Sequence, residues 1–324
     1  MKKSFLFFIS ITAAVIILLS FINGCAKQGY PDIDYKSKIP ASAVKMTPEM
    51  DKHPPILHSE EYEAPVPLAD VNTAGAEDSP FIPDSGDELY LFFTPDVKVP
   101  VEKQVIDEVT GIYVSKKVNG AWQSPVRVHL QDPGKLSLDG CEFVQGNTIW
   151  FCAAREGHTG LHWVKASRKK TSDGGWGAWA DWEVSDFPAE YQVGELHIHG
   201  DELYFHSAHE GGKGGNDIWM SNRVGGSWLP PVVLANVNSA ADDGYPYITP
   251  DGQELWFTRQ YEGTPAVFRS KRDTDNTWLE PELIVSQFAG EPTLDLEDNL
   301  YFVHHYFDEG NMIEADIYVA YRKK

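Results

Sequence analysis

The stretch Pro250-Asp251-Gly252-Gln253-Glu254-Leu255-Trp256-Phe257 combines a turn signal with a strand core of one aliphatic and two aromatic residues. A turn signal of this kind beside an apolar run is typical of a β-hairpin. Comparable cores follow turns at four other places: Leu89-Tyr90-Leu91-Phe92, Ile149-Trp150-Phe151, Leu203-Tyr204-Phe205 and Leu300-Tyr301-Phe302. The cores recur at intervals of roughly fifty residues, a spacing that indicates a repeat protein.

Two further strands complete each repeat. A third strand follows each hairpin, as in Asp217-Ile218-Trp219-Met220-Ser221, and a fourth begins with Trp and continues to Pro, as in Trp278 and Pro281. Proline fits an outermost strand, because no neighbouring strand needs its missing N–H. The last repeat ends at Lys324 without a fourth strand, and residues 62–68 carry the missing pattern. We therefore predict an all-β fold, a single five-bladed β-propeller of four-stranded antiparallel blades over residues 61–324, closed by an N-terminal strand that completes the last blade.

The connection into the first strand also recurs. Residues 71–82 read VNTAGAEDSPFI, and residues 237–248 read VNSAADDGYPYI. Together with the Pro250-Asp251-Gly252 turn and the Asp217-Ile218-Trp219 strand, this pattern resembles the WD40-like repeats of TolB-type β-propeller lipoproteins of bacteria. The resemblance covers about residues 62–324. It implies a propeller in the cell envelope, and it implies no particular reaction.

The N-terminus has the pattern of an export signal. Lys2 and Lys3 precede an apolar run that ends at Ile22-Asn23-Gly24-Cys25, which resembles a bacterial lipobox. We predict a signal peptide at residues 1–24, a lipidated Cys25 and a flexible tether over residues 25–60. The protein would then be an exported envelope lipoprotein of the outer membrane, facing the periplasm or the surface. An uncleaved membrane anchor is the alternative, since the apolar run is just long enough to span a bilayer.

Charge and cysteine content restrict the partners. The net charge of −21 repels nucleic acid, so no nucleic-acid partner is expected, and the membrane would be reached through the lipid on Cys25.

Cys141 and Cys152 fall in one predicted hairpin. Export permits a disulfide between them, but cysteines nearly opposite each other in a hairpin are usually strained as a disulfide. The sequence is compatible both with a disulfide between these cysteines and with two buried thiols.

Acidic residues collect in the predicted first strands, which meet in the central funnel of a propeller. The predicted ligand-binding funnel comprises Glu77, Asp78, Asp139, Glu142, Glu195, His197, Asp243 and Glu291. Glu77 and Asp243 recur with their repeat context, which favours a structural role as acceptors of backbone N–H groups. Glu142 and Glu195 replace a proline of the repeat, which favours a functional role. The acids could hold a divalent cation, but no spacing matches a zinc or iron template.

Two functions fit these features. The first is a non-catalytic platform that binds an envelope protein or glycan, which suits the anchor and the absence of a complete catalytic motif. The alternative is a glycoside hydrolase that uses Glu142, Glu195, Asp139 or Asp78 as acid and as base or nucleophile. Such an enzyme needs two carboxyl groups about 5–5.5 Å apart for retention or roughly 6.5–9.5 Å apart for inversion. Acids tied up by backbone N–H groups would count against it.

Overall fold

The computed structural model describes residues 30–104, 106–172, 174–180, 182–188, 190–191 and 194–324. The predicted signal peptide and the lipidation site Cys25 lie outside these residues. Within them, no helix is long and apolar enough to cross a membrane. The fold is 1% helical and 48% strand, so the all-β prediction is confirmed. A short helix α1 covers Val101–Gln104.

The strands are short and follow one another along the chain. The first twelve are β1 (Ile56–Leu57), β2 (Val66–Pro67), β3 (Ala76–Phe81), β4 (Glu88–Thr94), β5 (Gly111–Val118), β6 (Ala121–Trp122), β7 (Val126–Arg127), β8 (Ser137–Gln145), β9 (Thr148–Arg155), β10 (His162–Lys170), β11 (Trp176–Trp179) and β12 (Glu183–Val184). The rest are β13 (Leu196–His199), β14 (Glu202–Ser207), β15 (Asp217–Val224), β16 (Ser227–Trp228), β17 (Val232–Val233), β18 (Asp243–Ile248), β19 (Glu254–Tyr261), β20 (Thr264–Lys271), β21 (Glu282–Ser286), β22 (Ala289–Leu294), β23 (Leu300–Asp308) and β24 (Asn311–Ala320).

Successive strands pair antiparallel and form meanders. Strands β8 to β12 make one sheet, β13 to β17 a second, and β18 to β21 a third, which β1 extends at its outer edge. Strands β3 to β7 are joined to β22, β23 and β24 through one parallel bridge between Ala315 and Ala76. The first strands β3, β8, β13, β18 and β22 contact one another in chain order, and β22 also contacts β3. The first strands therefore surround a common centre.

The hydrophobic core lies between neighbouring sheets. Tyr90 of β4 is fully buried in one cluster with Phe151 of β9, and Tyr204 of β14 is fully buried in another with Phe257 of β19. These residues belong to the repeated strand cores. Burying each such ring removes apolar surface from water and contributes roughly 1.5–3 kcal/mol. The repeated aromatic core thus supplies the contact between one sheet and the next.

A cation lies over an aromatic ring beside the outer strand of each repeat. The pairs are Lys117 over Trp122, Arg168 over Trp179, Arg223 over Trp228, Arg272 over Trp278 and Arg322 over Tyr62. Tyr62 also forms an antiparallel bridge with Arg322, and β2 pairs with β24. Tyr62 therefore has the surroundings beside β24 that a tryptophan has in the other repeats.

Residues 30–57, called here the N-terminal strap, pack against the sheets. Tyr35 is 5% exposed and donates a hydrogen bond to Glu77, Asp51 pairs with His304 at 2.9 Å, and β1 pairs with β21. The strap thus differs from the flexible tether predicted for this region. The sequence gives no periodic signal here, because single side chains at irregular intervals make the contacts.

Lys45 makes the most strongly charged contact of the strap. Its ammonium group pairs with the buried carboxylates of Glu314 and Asp316, and burial raises the pKa of Asp316 to about 7. We expect Lys45→Ala to lower the free energy of unfolding by about 1–3 kcal/mol, because it leaves buried acceptors without a donor. Urea denaturation would measure this. The matched control is Lys52→Ala, because Lys52 pairs with Asp308 at the exposed surface. Equal transition midpoints for the two variants would contradict the prediction.

Candidate functional site

Four first strands carry a β-bulge at corresponding positions. The bulges interrupt the registers of β3, β8, β18 and β22 with their second strands. In each bulge one non-glycine residue has left-handed backbone geometry, namely Ser79 (φ 47°), Cys141 (φ 56°), Tyr245 (φ 55°) and Glu291 (φ 54°). This conformation is uncommon outside glycine, and a bulge re-aims the side chains next to it. Its recurrence in four strands marks the ring centre as a candidate site.

The re-aimed side chains converge on a cavity of about 40 Å³, called here the central pocket. Its lining includes Ser79, Glu142, Glu195, His197, Tyr245 and Glu291. A cavity of this volume has room for one water molecule. The pocket therefore suits a small group or the reacting atoms of a larger ligand, whose remaining atoms would lie outside it.

Ser79 links two of the carboxylates. Its backbone N–H and its hydroxyl donate to Oε2 of Glu291 at 2.9 and 2.8 Å. The hydroxyl also lies 3.4 Å from Oε1 of Glu195. Burial, together with the charges of Asp78 and Glu195, raises the pKa of Glu291 well above its usual range. Ser79 thus binds Glu291 and lies beside Glu195, two acids at first strands that are not neighbours in the ring.

Glu142 is the most isolated acid of the pocket. It is 6% exposed, and no described residue other than Glu142 itself donates a hydrogen bond to its carboxylate. Burial raises the pKa of Glu142 well above its usual range, and the nearby charges of Glu195 and Asp78 act in the same direction. A buried carboxyl group without a partner is held in its neutral form. Structural stabilisation gives no reason for an acid at this position, because such a group costs free energy.

Glu195 is partly exposed to solvent, and its pKa is raised. Its side chain is 20% exposed, and its Oε2 lies 3.8 Å from Nε2 of His206. Burial raises the pKa of Glu195 to about 7, while hydrogen bonds from Cys141 and Ser79 oppose that rise. Burial also lowers the pKa of His206 to about 4, and its Nδ1 accepts the Tyr245 N–H, so this histidine is neutral. Glu195 can therefore gain or lose a proton near neutral pH.

Asp78, Glu291 and His305 form the described group that could hold a metal ion. Their ligand atoms all lie within 4.8 Å of one another, with the His305 Nε2 at 3.8 Å from the Asp78 carboxylate. Burial lowers the pKa of His305, which leaves the imidazole neutral and able to act as a ligand. Two carboxylates and one imidazole suit a divalent cation. A divalent cation in the funnel stays a prediction.

Glu77 and Asp243 lie outside the lining of the central pocket, and their carboxylates accept hydrogen bonds from backbone N–H groups. Glu77 accepts the N–H and hydroxyl of Thr73 at 2.8 and 2.6 Å, and burial raises its pKa to about 7. Asp243 accepts the N–H and hydroxyl of Ser239 at 2.6 and 2.9 Å. Each acid thus fixes the connection that enters its own first strand. The structural interpretation of these two residues fits this placement better than a ligand-binding one.

Asp139 is engaged in a buried ion pair. Its carboxylate meets Arg155, and the two side chains are 2% and 1% exposed. Ser137 donates a further hydrogen bond to Asp139 at 2.5 Å. An acid committed in this way to an arginine stabilises the sheet and is poorly placed to exchange protons with a ligand. We therefore remove Asp139 from the catalytic candidates.

His197 forms part of the pocket wall. Its ring lies among Phe81, Phe143 and Tyr247, and its Nδ1 accepts the N–H of Ile248 at 3.2 Å. Burial lowers the pKa of His197 to about 3, so the ring is neutral. It is a packed residue of the pocket wall beside the acids, and the ligand-binding role predicted for it stays a prediction.

The sequence interpretation missed five residues of the site, namely Ser79, Cys141, His206, Tyr245 and His305. Ser79, Cys141 and Tyr245 each lie in a bulge, one residue before a column of prolines and acids in the aligned first strands. That column comprises residues 80, 142, 195, 246 and 292. That column was visible in the sequence and could have directed attention to its neighbours. His206 and His305 lie on second strands, and only the pairing of strands brings them to the centre.

Comparisons with known proteins give little beyond the fold. No protein-family model and no curated protein matches the chain. The chain is similar to the crystal structure of an endo-arabinase from Bacteroides thetaiotaomicron, at 13% identity and a TM-score of 0.48, over 80% of this chain and 96% of that one. It is also similar to TolB from Acinetobacter baumannii, at 11% identity and a TM-score of 0.42, over 78% of this chain and 56% of that one. A third similar structure is GH43B of a Bacteroides ovatus xyloglucan PUL, at 14% identity and a TM-score of 0.47, over 76% and 52% of the two chains.

The class of fold follows from the sheets themselves. Meandering antiparallel sheets whose first strands surround a common centre are the arrangement of a β-propeller. The candidate site is the acidic central pocket of this propeller. The TolB-type family assignment remains a prediction, because identities this low do not assign a family.

Proposed function

We propose that the protein is a glycoside hydrolase-like enzyme that cleaves a glycosidic bond at the central pocket. The observation that carries this proposal is the isolation of Glu142, a buried acid without a partner, beside the more accessible acids Glu195 and Asp78. Paired carboxylates in different environments are what acid-assisted cleavage of a glycosidic bond requires. The charges of the pocket thus support the enzyme more than a purely structural role.

The three acids have distinct proposed roles. Glu195 is the general acid, because its pKa of about 7 leaves it protonated yet ready to donate near neutral pH. Asp78 is the base or nucleophile, because its side chain is 28% exposed and reaches the solvent. Glu142 does not contact the sugar in this proposal. Its carboxyl group stays neutral and buried in the pocket wall.

The pocket volume sets how a substrate would lie. Since a cavity of about 40 Å³ holds one water molecule, a sugar ring would sit at the opening with its glycosidic bond directed toward Glu195 and Asp78. The remaining units of a glycan would extend over the ring of first strands. His206 lies 3.8 Å from Glu195 and His305 lies 3.8 Å from Asp78, and both are neutral, so neither adds a positive charge that would compete for the acids.

The test is a search for hydrolysis with the purified protein. We expect it to release reducing ends from at least one member of a panel of plant and bacterial polysaccharides and aryl glycosides. A complete absence of release across the panel, with folding verified by circular dichroism, would contradict the enzyme. In that case a non-catalytic platform for an envelope protein or glycan becomes the better account. Recovery of one defined partner from envelope extract would then support it.

For the fold, we propose five four-stranded blades, with residues 62–68 completing the last one. The closed series of contacts among five first strands supports the number. The pairing of β2 with β24 and the position of Arg322 over Tyr62 support the closure, because they repeat what the other outer strands do. Deleting residues 1–68 should then expose the outer edge of β24 and cause aggregation. A monomeric and equally stable deletion variant would contradict the closure.

We further propose that the protein is exported and held at the outer membrane by lipid on Cys25. The Ile22-Asn23-Gly24-Cys25 motif supports this address. Metabolic labelling with an alkynyl fatty acid tests it, and we expect label on the wild-type chain and none on Cys25→Ser. Labelling of both chains, or of neither, would contradict lipidation at this residue. The proposed location at the outer membrane does not depend on the proposed catalytic activity.

A further inference from the structure

Two free thiols meet beside the proposed general acid. Cys141 occupies the bulge of β8, and Cys152 lies on β9 opposite the neighbouring Gly140. Cys152 belongs to a buried cluster, and the Cys141 side chain packs against that cluster. The two cysteines therefore lie diagonally across one pair of strands, and a disulfide between them would close across the bulge of β8.

Both thiols also hold the segment that carries Glu195. The Cys152 thiol donates to the carbonyl oxygen of Gly194 at 3.3 Å, and the Cys141 thiol donates to the carboxylate of Glu195. Trp163 donates to the same Gly194 carbonyl at 2.8 Å. Closing a disulfide would remove both thiol hydrogens, and Glu195 would lose the donor that restrains its carboxylate. The contact with Trp163 would remain and keep the segment in place.

We propose that Cys141 and Cys152 form a reversible disulfide that controls Glu195. This regulatory step rests on the proposed function for its effect on activity, but the disulfide itself does not. The oxidant is a small-molecule or protein disulfide. The Cys141 thiolate attacks one sulfur of the oxidant and forms a mixed disulfide while releasing one thiol. The Cys152 thiolate then displaces the second thiol, so two electrons and two protons pass from the cysteine pair to the reagent.

The burial of the pair sets the order of these steps. Cys152 is 4% exposed, whereas Cys141 is partly exposed next to the pocket, so the oxidant reaches Cys141 first. Burial and the neighbouring thiol raise the pKa of Cys141 well above its usual range. The thiolate fraction is therefore small, and exchange should be slow at neutral pH and faster as the pH rises.

The experiment treats the full-length chain in detergent with excess oxidised glutathione, followed by alkylation and peptide mass spectrometry. We expect a Cys141–Cys152 disulfide peptide that disappears after treatment with dithiothreitol. Persistence of two alkylated thiols, or accumulation of glutathione on Cys141 without the internal disulfide, would overturn the proposal. In Cys141→Ser, Cys152 should remain an alkylatable thiol after the same treatment. Oxidation of Cys152 in that variant would show that the pair does not act as one site.

Activity measurements distinguish the proposed control by the disulfide from the proposed enzymatic function. With a substrate in hand, oxidation of the wild type should move the upper pH limit of activity to higher pH, because the Cys141 hydrogen bond that is lost opposes the rise in the pKa of Glu195, and dithiothreitol should reverse this shift. The pH profile of Cys152→Ser should be the same before and after oxidation. If the disulfide forms and the pH profile of the wild type does not change, the control of Glu195 is refuted. If no substrate is found although the disulfide forms, only the enzyme proposal fails.

Discussion

Glu195→Gln should lower kcat/KM for glycoside hydrolysis by a factor of roughly 10²–10⁴, the usual contribution of a general acid. The amide has nearly the shape of the carboxyl group but has no proton to donate to the leaving oxygen. Folding should persist, because among the described residues the only side chains that donate to this carboxylate are the Ser79 hydroxyl at 3.4 Å and the Cys141 thiol. Steady-state kinetics on the best substrate of the panel would measure the loss.

The matched control for this substitution is Glu309→Gln. Glu309 is exposed in the turn between β23 and β24, so its amide variant should retain wild-type kcat/KM. A loss of similar size in both variants, or activity retained in Glu195→Gln, would contradict the role of Glu195.

The pH dependence follows from the same residue. The general acid must be protonated to act, and burial raises the pKa of Glu195 to about 7. We therefore expect activity to decline as the pH rises through about 7. Asp78→Asn removes a nearby charge that raises the pKa of Glu195, so an NMR titration of Glu195 in this variant should give a lower pKa than in the wild type. An unchanged pKa of Glu195 in Asp78→Asn would contradict this electrostatic account.

Asp139→Ala should lower the free energy of unfolding by about 3–5 kcal/mol, because it leaves the Arg155 guanidinium buried without its counter-ion. Arg155 is held by Asp139 and lies over the ring of Trp182, with little access to water. The effect should therefore be a loss of stability. Chemical denaturation would measure it.

The control is Asp132→Ala, which removes an exposed acid from the segment leading into the same strand. We expect its transition midpoint to match that of the wild type. If Asp139→Ala were instead as stable as the wild type but inactive, Asp139 would return to the catalytic candidates.

The sequence predicted the strands better than the site, and the reason is physical. The cores around Tyr90, Tyr204 and Trp256 are buried and repeated, so their composition records the contact between neighbouring sheets. A left-handed residue in a bulge leaves no such record, since Ser79, Cys141 and Tyr245 are chemically unrelated. Their common backbone geometry becomes visible only in the structure.

The division of the acids into structural and functional groups was partly predictable. Glu77 and Asp243 recur within matching connections, and that recurrence favoured a backbone-binding role, which their hydrogen bonds with Thr73 and Ser239 fit. Asp139 also lies in a first strand, but its partner Arg155 is on the next strand, where the sequence gives no indication of contact. The N-terminal strap was missed for a similar reason, since Tyr35 and Asp51 contact residues far away in the chain.

The most direct test of the central claim follows the oxygen of water during cleavage. The polysaccharide or aryl glycoside that the panel identifies is incubated with the protein in ¹⁸O-labelled water, and the products are analysed by mass spectrometry. The proposed chemistry predicts one ¹⁸O at the anomeric carbon of the released sugar with the wild type and with Glu309→Gln, and product formation slower by a factor of roughly 10² or more with Glu195→Gln. Absence of cleavage with the wild type, or equal labelled product with Glu195→Gln, would contradict catalysis at the central pocket.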